Sequence, residues 1–337
     1  MTLKVDAGLY CDLAGAQQRA RALEDAGYDG VFAPEIAHDP FLPLALAATA
    51  TRRVELGTGI AVALARNPMT LAVTATDIHR LSGGRFVLGL GSQIKPHITK
   101  RFSMPWSQPA ARMRELILAV RAIWSAWNHG EPLRFRGDFY RHTLMTPMFD
   151  PGPSPVGDPR IFLAAVGPGM TAVAGAVADG FIAHAFTTAA YFRDVTMPAI
   201  ERGLGGAQRA RADLEITLPL FIVTGRDERE LASRALAVRR QLAFYGSTPA
   251  YLPVLEHHGW GDLGRELNVL SKQGEWERMG DAVDRDVLEA FAVVGEPTSI
   301  APEIARRYGG ILDRVQLGTE HDDAAAWAEI VDSIRRL

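Results

Sequence analysis

Short apolar runs alternate along the chain with longer stretches in which apolar residues recur every three or four positions. The runs read as strands and the stretches as helices. A strand covered on both faces needs no polar alternation, whereas a surface helix buries a single stripe. Four copies of a helix, a glycine stop and a strand stand out. Residues 16–26 stop at Gly27 before a strand at 29–33, and residues 78–81 stop at Gly83-Gly84 before 85–89. Residues 176–179 stop at Gly180 before 181–184, and residues 304–308 stop at Gly309-Gly310 before 311–317. Glycine suits such stops because helices commonly end on a left-handed residue, where a Cβ costs energy. Residues 4–9, 54–62, Arg160–Ala165 and 216–223 bring the strand candidates to eight. Eight strands alternating with helices predict an α/β fold, a (β/α)8 TIM barrel rather than an open doubly wound sheet. The uneven spacing excludes a solenoid.

Two stretches exceed a plain barrel within what reads as one domain over 1–337: an insertion after strand four, about 92–159, and another in the C-terminal third, about 243–286. The first is centred on an amphipathic helix whose stripe is Met113, Leu116, Ile117, Val120, Ile123, Trp124 and Trp127. The second is polar, carries Trp260 and Trp276, and is expected to cover the barrel mouth or form a subunit contact.

Length and charge narrow the function classes. The 337 residues suit two average domains or one barrel with insertions. With 36 basic against 39 acidic side chains, the net charge of -3 argues against nucleic acid as a partner. Cys11 is the lone cysteine, so no intrachain disulfide or cysteine zinc cluster can form; a buried small side chain is expected there. The N-terminal residues do not resemble a signal peptide, and no apolar run approaches the ~20 residues of a membrane span. A cytoplasmic protein without a membrane partner is expected.

In a barrel, chemistry gathers on the loops after the carboxyl ends of the strands. Those positions hold Glu35, His38 and Asp39 after strand two, Gly59-Ile60-Ala61 near the end of strand three, and residues 91–97, including Gln93 and His97, after strand four. Residues 166–171 follow strand five, His184 ends strand six and His321 follows strand eight. No metal site is expected: strand one ends without paired histidines, there is no His-Glu-x-x-His helix, and His257 and His258 are adjacent and diverge. Gly89-Leu90-Gly91 begins like a dinucleotide fingerprint, but Ile94 occupies its last glycine position. The loop Val166-Gly167-Pro168-Gly169-Met170-Thr171 is open to two readings. It is an ordinary β–α turn with Thr171 capping a helix from Ala172, or a phosphate-binding helix start.

Taken together, these residues resemble the bacterial luciferase-like superfamily of flavin and deazaflavin oxidoreductases. The resemblance is carried by residues 57–61, Arg66-Asn67-Pro68, residues 77–91, Tyr28 to Phe32, the helix 112–124, Phe135 to Tyr140, Ala164 to Pro168, and Val294 to Pro297 leading to Asp313-Arg314-Val315-Gln316. The chain is most similar to the coenzyme F420-dependent branch, which implies hydride transfer between the deazaflavin C5 and a small organic substrate. The resemblance also implies a homodimer or higher homo-oligomer, and a cofactor ring in the barrel mouth backed by a bulge at Gly59, Ile60 and Ala61, often with a non-prolyl cis peptide. It places the cofactor phosphate at Gly167, Pro168, Gly169 and Met170, with Val166 as an adjoining cofactor contact, and brings Gln93 and His97 toward the cofactor. One departure is that the aspartate–histidine pair of many deazaflavin members aligns with Glu35 and Ile36. Glu35 is then expected as a cofactor contact and as a catalytic residue that orients or hydrogen-bonds either partner, with His38 handling the proton and His97 as second candidate. Lys95, Lys100 and Arg101 are placed to attract an acidic cofactor tail. Two alternatives stay open: an FMN-dependent monooxygenase served by a flavin reductase, and a non-catalytic flavin- or deazaflavin-binding protein.

Overall fold

The computed structural model describes residues 3–318 and 327–337. Its barrel strands are β1 (Lys4–Gly8), β2 (Gly30–Ala33), β3 (Glu55–Thr58), β4 (Phe86–Gly91), β5 (Arg160–Ala165), β6 (Gly180–Ala183), β7 (Glu215–Val223) and β8 (Arg314–Leu317). Each pairs in parallel with its neighbours, and β7 pairs with both β6 and β8, so the sheet closes into a TIM barrel. Beyond Thr58 the chain bulges and resumes pairing with β4 at Ala61–Val62.

The junction glycines split into two kinds. Gly27, Gly83, Gly84 and Gly310 have positive φ, as a left-handed helix stop requires. Gly180 departs from that expectation: the preceding helix already ends at Val177, and Gly180 opens β6. A Cβ on it would lie 2.4 Å from the Phe162 ring, so glycine is there for close strand packing. The last strand begins at Arg314 rather than at 311, because Ile311 and Leu312 complete the turn that follows the helix Pro297–Tyr308.

The stretch 92–159 is only partly an addition. Its helix Pro109–His129 packs between the helices Pro68–Leu81 and Pro168–Val177, taking the fourth place in the outer ring of the barrel. All seven stripe residues are buried. The surplus is the loop before that helix and a small hairpin after it. The hairpin turn is held by Glu115, whose carboxylate accepts the amides of Asp138, Phe139 and Tyr140. The stretch 243–286 folds as short helices that share a second apolar core with Phe186, Phe221 and Val223 from beside the barrel mouth. Among the described residues no helix is long and apolar enough to cross a membrane. Cys11 is half-buried against the core rather than fully enclosed.

The barrel interior is layered. At the amino ends of the strands the register brings together Lys4, Asp6, Glu55, Arg160, Glu215 and Arg314. Arg314, fully buried, binds Asp6 through Nη2 at 2.6 Å and Nε at 2.8 Å, and donates to Glu55 at 2.5 Å and Glu215 at 3.2 Å. Arg160 pairs with Glu55 at 2.9 Å and with Glu215, and Lys4 binds Glu55 at 3.0 Å. Three carboxylates thus meet three cations, which a low-dielectric barrel floor demands. Burial disfavours the Glu55 carboxylate, but Arg314, Arg160 and Lys4 outweigh it and bring its pKa to about 2. Above this floor Phe32, Val87, Phe162 and Ile182 form an apolar layer, with Ile60 and Ala164 packed on it. The open cavity lies above that layer.

Candidate active site

A cavity of about 1080 Å³ opens at the carboxyl ends of the strands. It exceeds the ~300–1,000 Å³ usual for one drug-sized ligand, which leaves room for a cofactor and a small substrate together. One half is made by Phe32, Gly59, Ile60, Gly91 to Lys95, Trp106 and Ala164 to Gly167 with Met170. The other is made by His184, the upper part of β7, one face of the helix Glu228–Gly246, and Tyr251.

The Gly59-Ile60 peptide is cis, at the position the family resemblance assigned to a bulge. The bulge is braced from behind. Glu35, with only 8% of its side chain exposed, accepts the Val62 amide at 2.7 Å and the Arg66 guanidinium at 2.5 Å, and its own amide donates to the Ile60 carbonyl at 3.2 Å. The Glu35 carboxylate therefore positions the bulge; it is not part of the cavity wall. Gly91 matters for the same region, since a Cβ there would lie 2.7 Å from the Ile60 side chain. Ala61 continues the bulge into Val62 and is fully buried.

After β5 the helix Pro168–Val177 begins with Gly167 as its N-cap and Pro168 in its first position. Thr171 does not cap it: that residue lies inside the helix, where its hydroxyl donates to the Gly167 carbonyl at 3.0 Å. Proline takes the first turn readily because its missing N–H is unused there, which moves the helix start ahead of Thr171. A Cβ on Gly167 or Gly169 would meet nothing within 4 Å. The amides of Gly169 and Met170 consequently head a helix that opens onto free space beside the cavity, as an anionic group requires.

The remaining candidates fall in different places. Gln93 lines the cavity at a φ of 57°, with Oε1 accepting the Ile94 amide at 3.0 Å. Val166, Gly167 and Met170 line the cavity, while Pro168 and Gly169 sit exposed just outside its wall. His38 and His97 are exposed, and neither is in the wall. Asp39 is committed to structure, accepting the Phe41 and Leu42 amides at the start of a helix and pairing with Arg66. Lys95 lines the cavity, whereas Arg101 turns away, donates to the Ile36 carbonyl at 2.7 Å and lies over Phe102. Lys100 is exposed outside the wall. His321 lies outside the described residues. His257 pairs with Asp194 at 3.2 Å, and His258 contacts Thr188 and stacks on Trp260. Among the described residues no three metal-ligating side chains converge.

In the second half of the wall, sequence reasoning placed only His184 and missed the helix beside it. Ser233, Arg234, Ala237, Val238, Gln241 and Tyr245 recur at helical spacing along the helix Glu228–Gly246 and face the cavity. In the sequence such a face is indistinguishable from an ordinary packed helix.

A TIM barrel with a cis bulge behind its mouth and an open helix start after the fifth strand defines the class. Residues 4–314 match the family model described as luciferase-like monooxygenase, so the chain belongs to that family. It is an oxidoreductase. It is 53% identical over 313 residues to an uncharacterized protein of Mycobacterium tuberculosis, covering 93% of this chain and 92% of that one. It is 27% identical to an F420-dependent glucose-6-phosphate dehydrogenase of Intrasporangium calvum, over 88% of this chain and 84% of the relative. Among solved structures it is similar to the coenzyme F420-dependent tetrahydromethanopterin reductase of Methanopyrus kandleri, with a TM-score of 0.79 and 20% identity over 98% of this chain and 97% of that one.

Proposed function

We propose that this chain is a coenzyme F420-dependent oxidoreductase acting on a small organic substrate. The observation that carries the reading is the pairing of the bulge at Gly59-Ile60 with the unobstructed helix start at Gly167 to Met170, on one cavity large enough for two molecules. The residues fit the cofactor. Ile60 and the bulge would back its ring, the amides of Gly169 and Met170 would take its phosphate, and Lys95 would meet its acidic tail. The cofactor supplies hydride donation or acceptance at C5. The chain's own residues bind and orient both partners and exclude water. Ile60 and Phe32 close the lower side of the cavity, while Glu35 with Arg66 holds the bulge in place. His38 and His97, the sequence candidates for the proton, stand at loops outside the wall, so their contribution is read by substitution. In line with the resemblance, the working form is taken to be a homodimer or larger, which light scattering of the purified protein tests.

The test is a fluorescence titration of the purified protein with F420 and FMN in parallel. F420 binding at least tenfold tighter, ~1.4 kcal/mol, is the expected result. FMN preference replaces the reading with a monooxygenase served by a reductase. Binding of neither overturns the assignment of the helix start.

A further inference from the structure

The cavity half that faces away from the phosphate loop has a polar group of its own. His184, directly after β6, accepts the Phe186 amide on Nδ1 at 3.0 Å. A ring nitrogen that accepts an amide hydrogen carries no proton, so the proton of the neutral imidazole sits on Nε2. Nε2 lies 3.0 Å from the Tyr251 hydroxyl oxygen and therefore donates to it. The rings stack with centroids 4.5 Å apart, and Tyr245 packs edge-on to His184 at 4.8 Å. With its oxygen already accepting from His184, the Tyr251 hydroxyl has its own hydrogen left to donate. His184 and Tyr251 both line the cavity.

The surroundings say what that hydrogen can meet. Burial lowers the His184 pKa to about 4 and, with Tyr245 nearby, raises that of Tyr251 to about 12, so both are neutral around pH 7. Leu220, Phe221, Ile222 and Val238 are apolar neighbours in the same half. Below them the Thr217 hydroxyl is buried and makes no hydrogen bond with the protein. Glu230, Arg234 and Gln241 of the helix Glu228–Gly246 also line the cavity, but at His184 and Tyr251 themselves a carboxylate would lose hydration without a counter-charge, which favours an uncharged oxygen at that end.

We propose that this half is the substrate chamber and that Tyr251, oriented by His184, donates a hydrogen bond to the oxygen of a neutral carbonyl compound or of the corresponding alcohol. The inference rests on the oxidoreductase reading above and names the substrate class of the same cavity. Tyr251 is the residue that touches the substrate; His184 is a positioning residue.

The test uses cyclohexenone as the probe and reads its carbonyl stretching band by infrared difference spectroscopy on the purified protein, with and without F420. A donated hydrogen bond lowers the stretching frequency. The wild type is expected to show a shifted band. Tyr251→Phe is expected to lose the shift and bind the probe about fivefold more weakly, while its F420 titration matches the wild type and so reports intact folding. His184→Gln, which keeps a donor near Tyr251, is expected to retain part of the shift, and His184→Phe to lose more of it. An unchanged band in Tyr251→Phe, or no probe bound to the wild type, overturns the proposal. Because the band is also read without cofactor, a failure of F420 binding is seen separately and bears on the cofactor reading alone.

Discussion

At the scale of single residues, the most tightly paired buried charges lie at the barrel floor, away from the cavity lining. Glu55 is held near pKa 2 by cations at the barrel floor, against an ordinary 4.5. A carboxylate with a depressed pKa stabilises the fold above its unfolded value and loses that contribution as pH falls through its folded value. The share at stake is ~3 kcal/mol, lost between about pH 4.5 and pH 2. Urea unfolding across that range should show the decline, and Glu55→Gln should flatten it while lowering stability at neutral pH. Glu35 is the other structural carboxylate. Glu35→Ala leaves the Val62 amide and Arg66 without their acceptor, so stability should drop by about 2 kcal/mol and F420 affinity should fall with it as the bulge loosens. By contrast, His38→Asn and His97→Asn should change F420 affinity less than about twofold, since neither side chain lines the cavity. A loss of turnover in either variant with unchanged affinity would assign the proton step to that histidine.

At the scale of elements, the helix Pro168–Val177 allows a prediction in which two effects take opposite signs. An acidic side chain near a helix start stabilises the helix and repels an anion at the same place. Gly169→Asp meets no obstruction. It should raise thermal stability by a few tenths of a kcal/mol and weaken F420 binding by at least about tenfold, as read by titration and by thermal unfolding without ligand. The helices and strands were largely readable from periodicity. Arg160–Ala165 has the expected bounds, and the Met113 to Trp127 stripe is the buried face of its helix. Where reading failed, a local rule met a tertiary one. Gly180 looked like a helix stop because the sequence does not show the Phe162 ring against it, and Thr171 looked like a cap because proline's tolerance of the first turn went uncounted. In the site, the bulge and the helix start were recognisable by their motifs. Tyr245 and Tyr251 were not, since they reach His184 from more than sixty residues away and follow no local pattern.

At the scale of the whole molecule, acid sensitivity should come in two stages. His184 is kept neutral by burial, its pKa near 4 against an ordinary 6.5, so its contribution is full above pH 6.5 and is lost as pH falls through 4. The Glu55 stage follows at lower pH. Thermal unfolding followed from pH 7 to pH 2.5 should therefore decline in an upper limb, made shallower by His184→Gln, and a lower limb, made shallower by Glu55→Gln. The floor, apolar layer and bulge of the barrel involve only residues of the strands and the loops next to them. The helix Glu228–Gly246 supplies one wall of the cavity, packing mainly on the short helices that follow it and also touching β7. For directed evolution this separates two tasks that enzymes often entangle. A library confined to Ser233, Ala237 and Gln241 varies one wall of the cavity, with the bulge, the helix start after β5 and the charged barrel floor left out of the search.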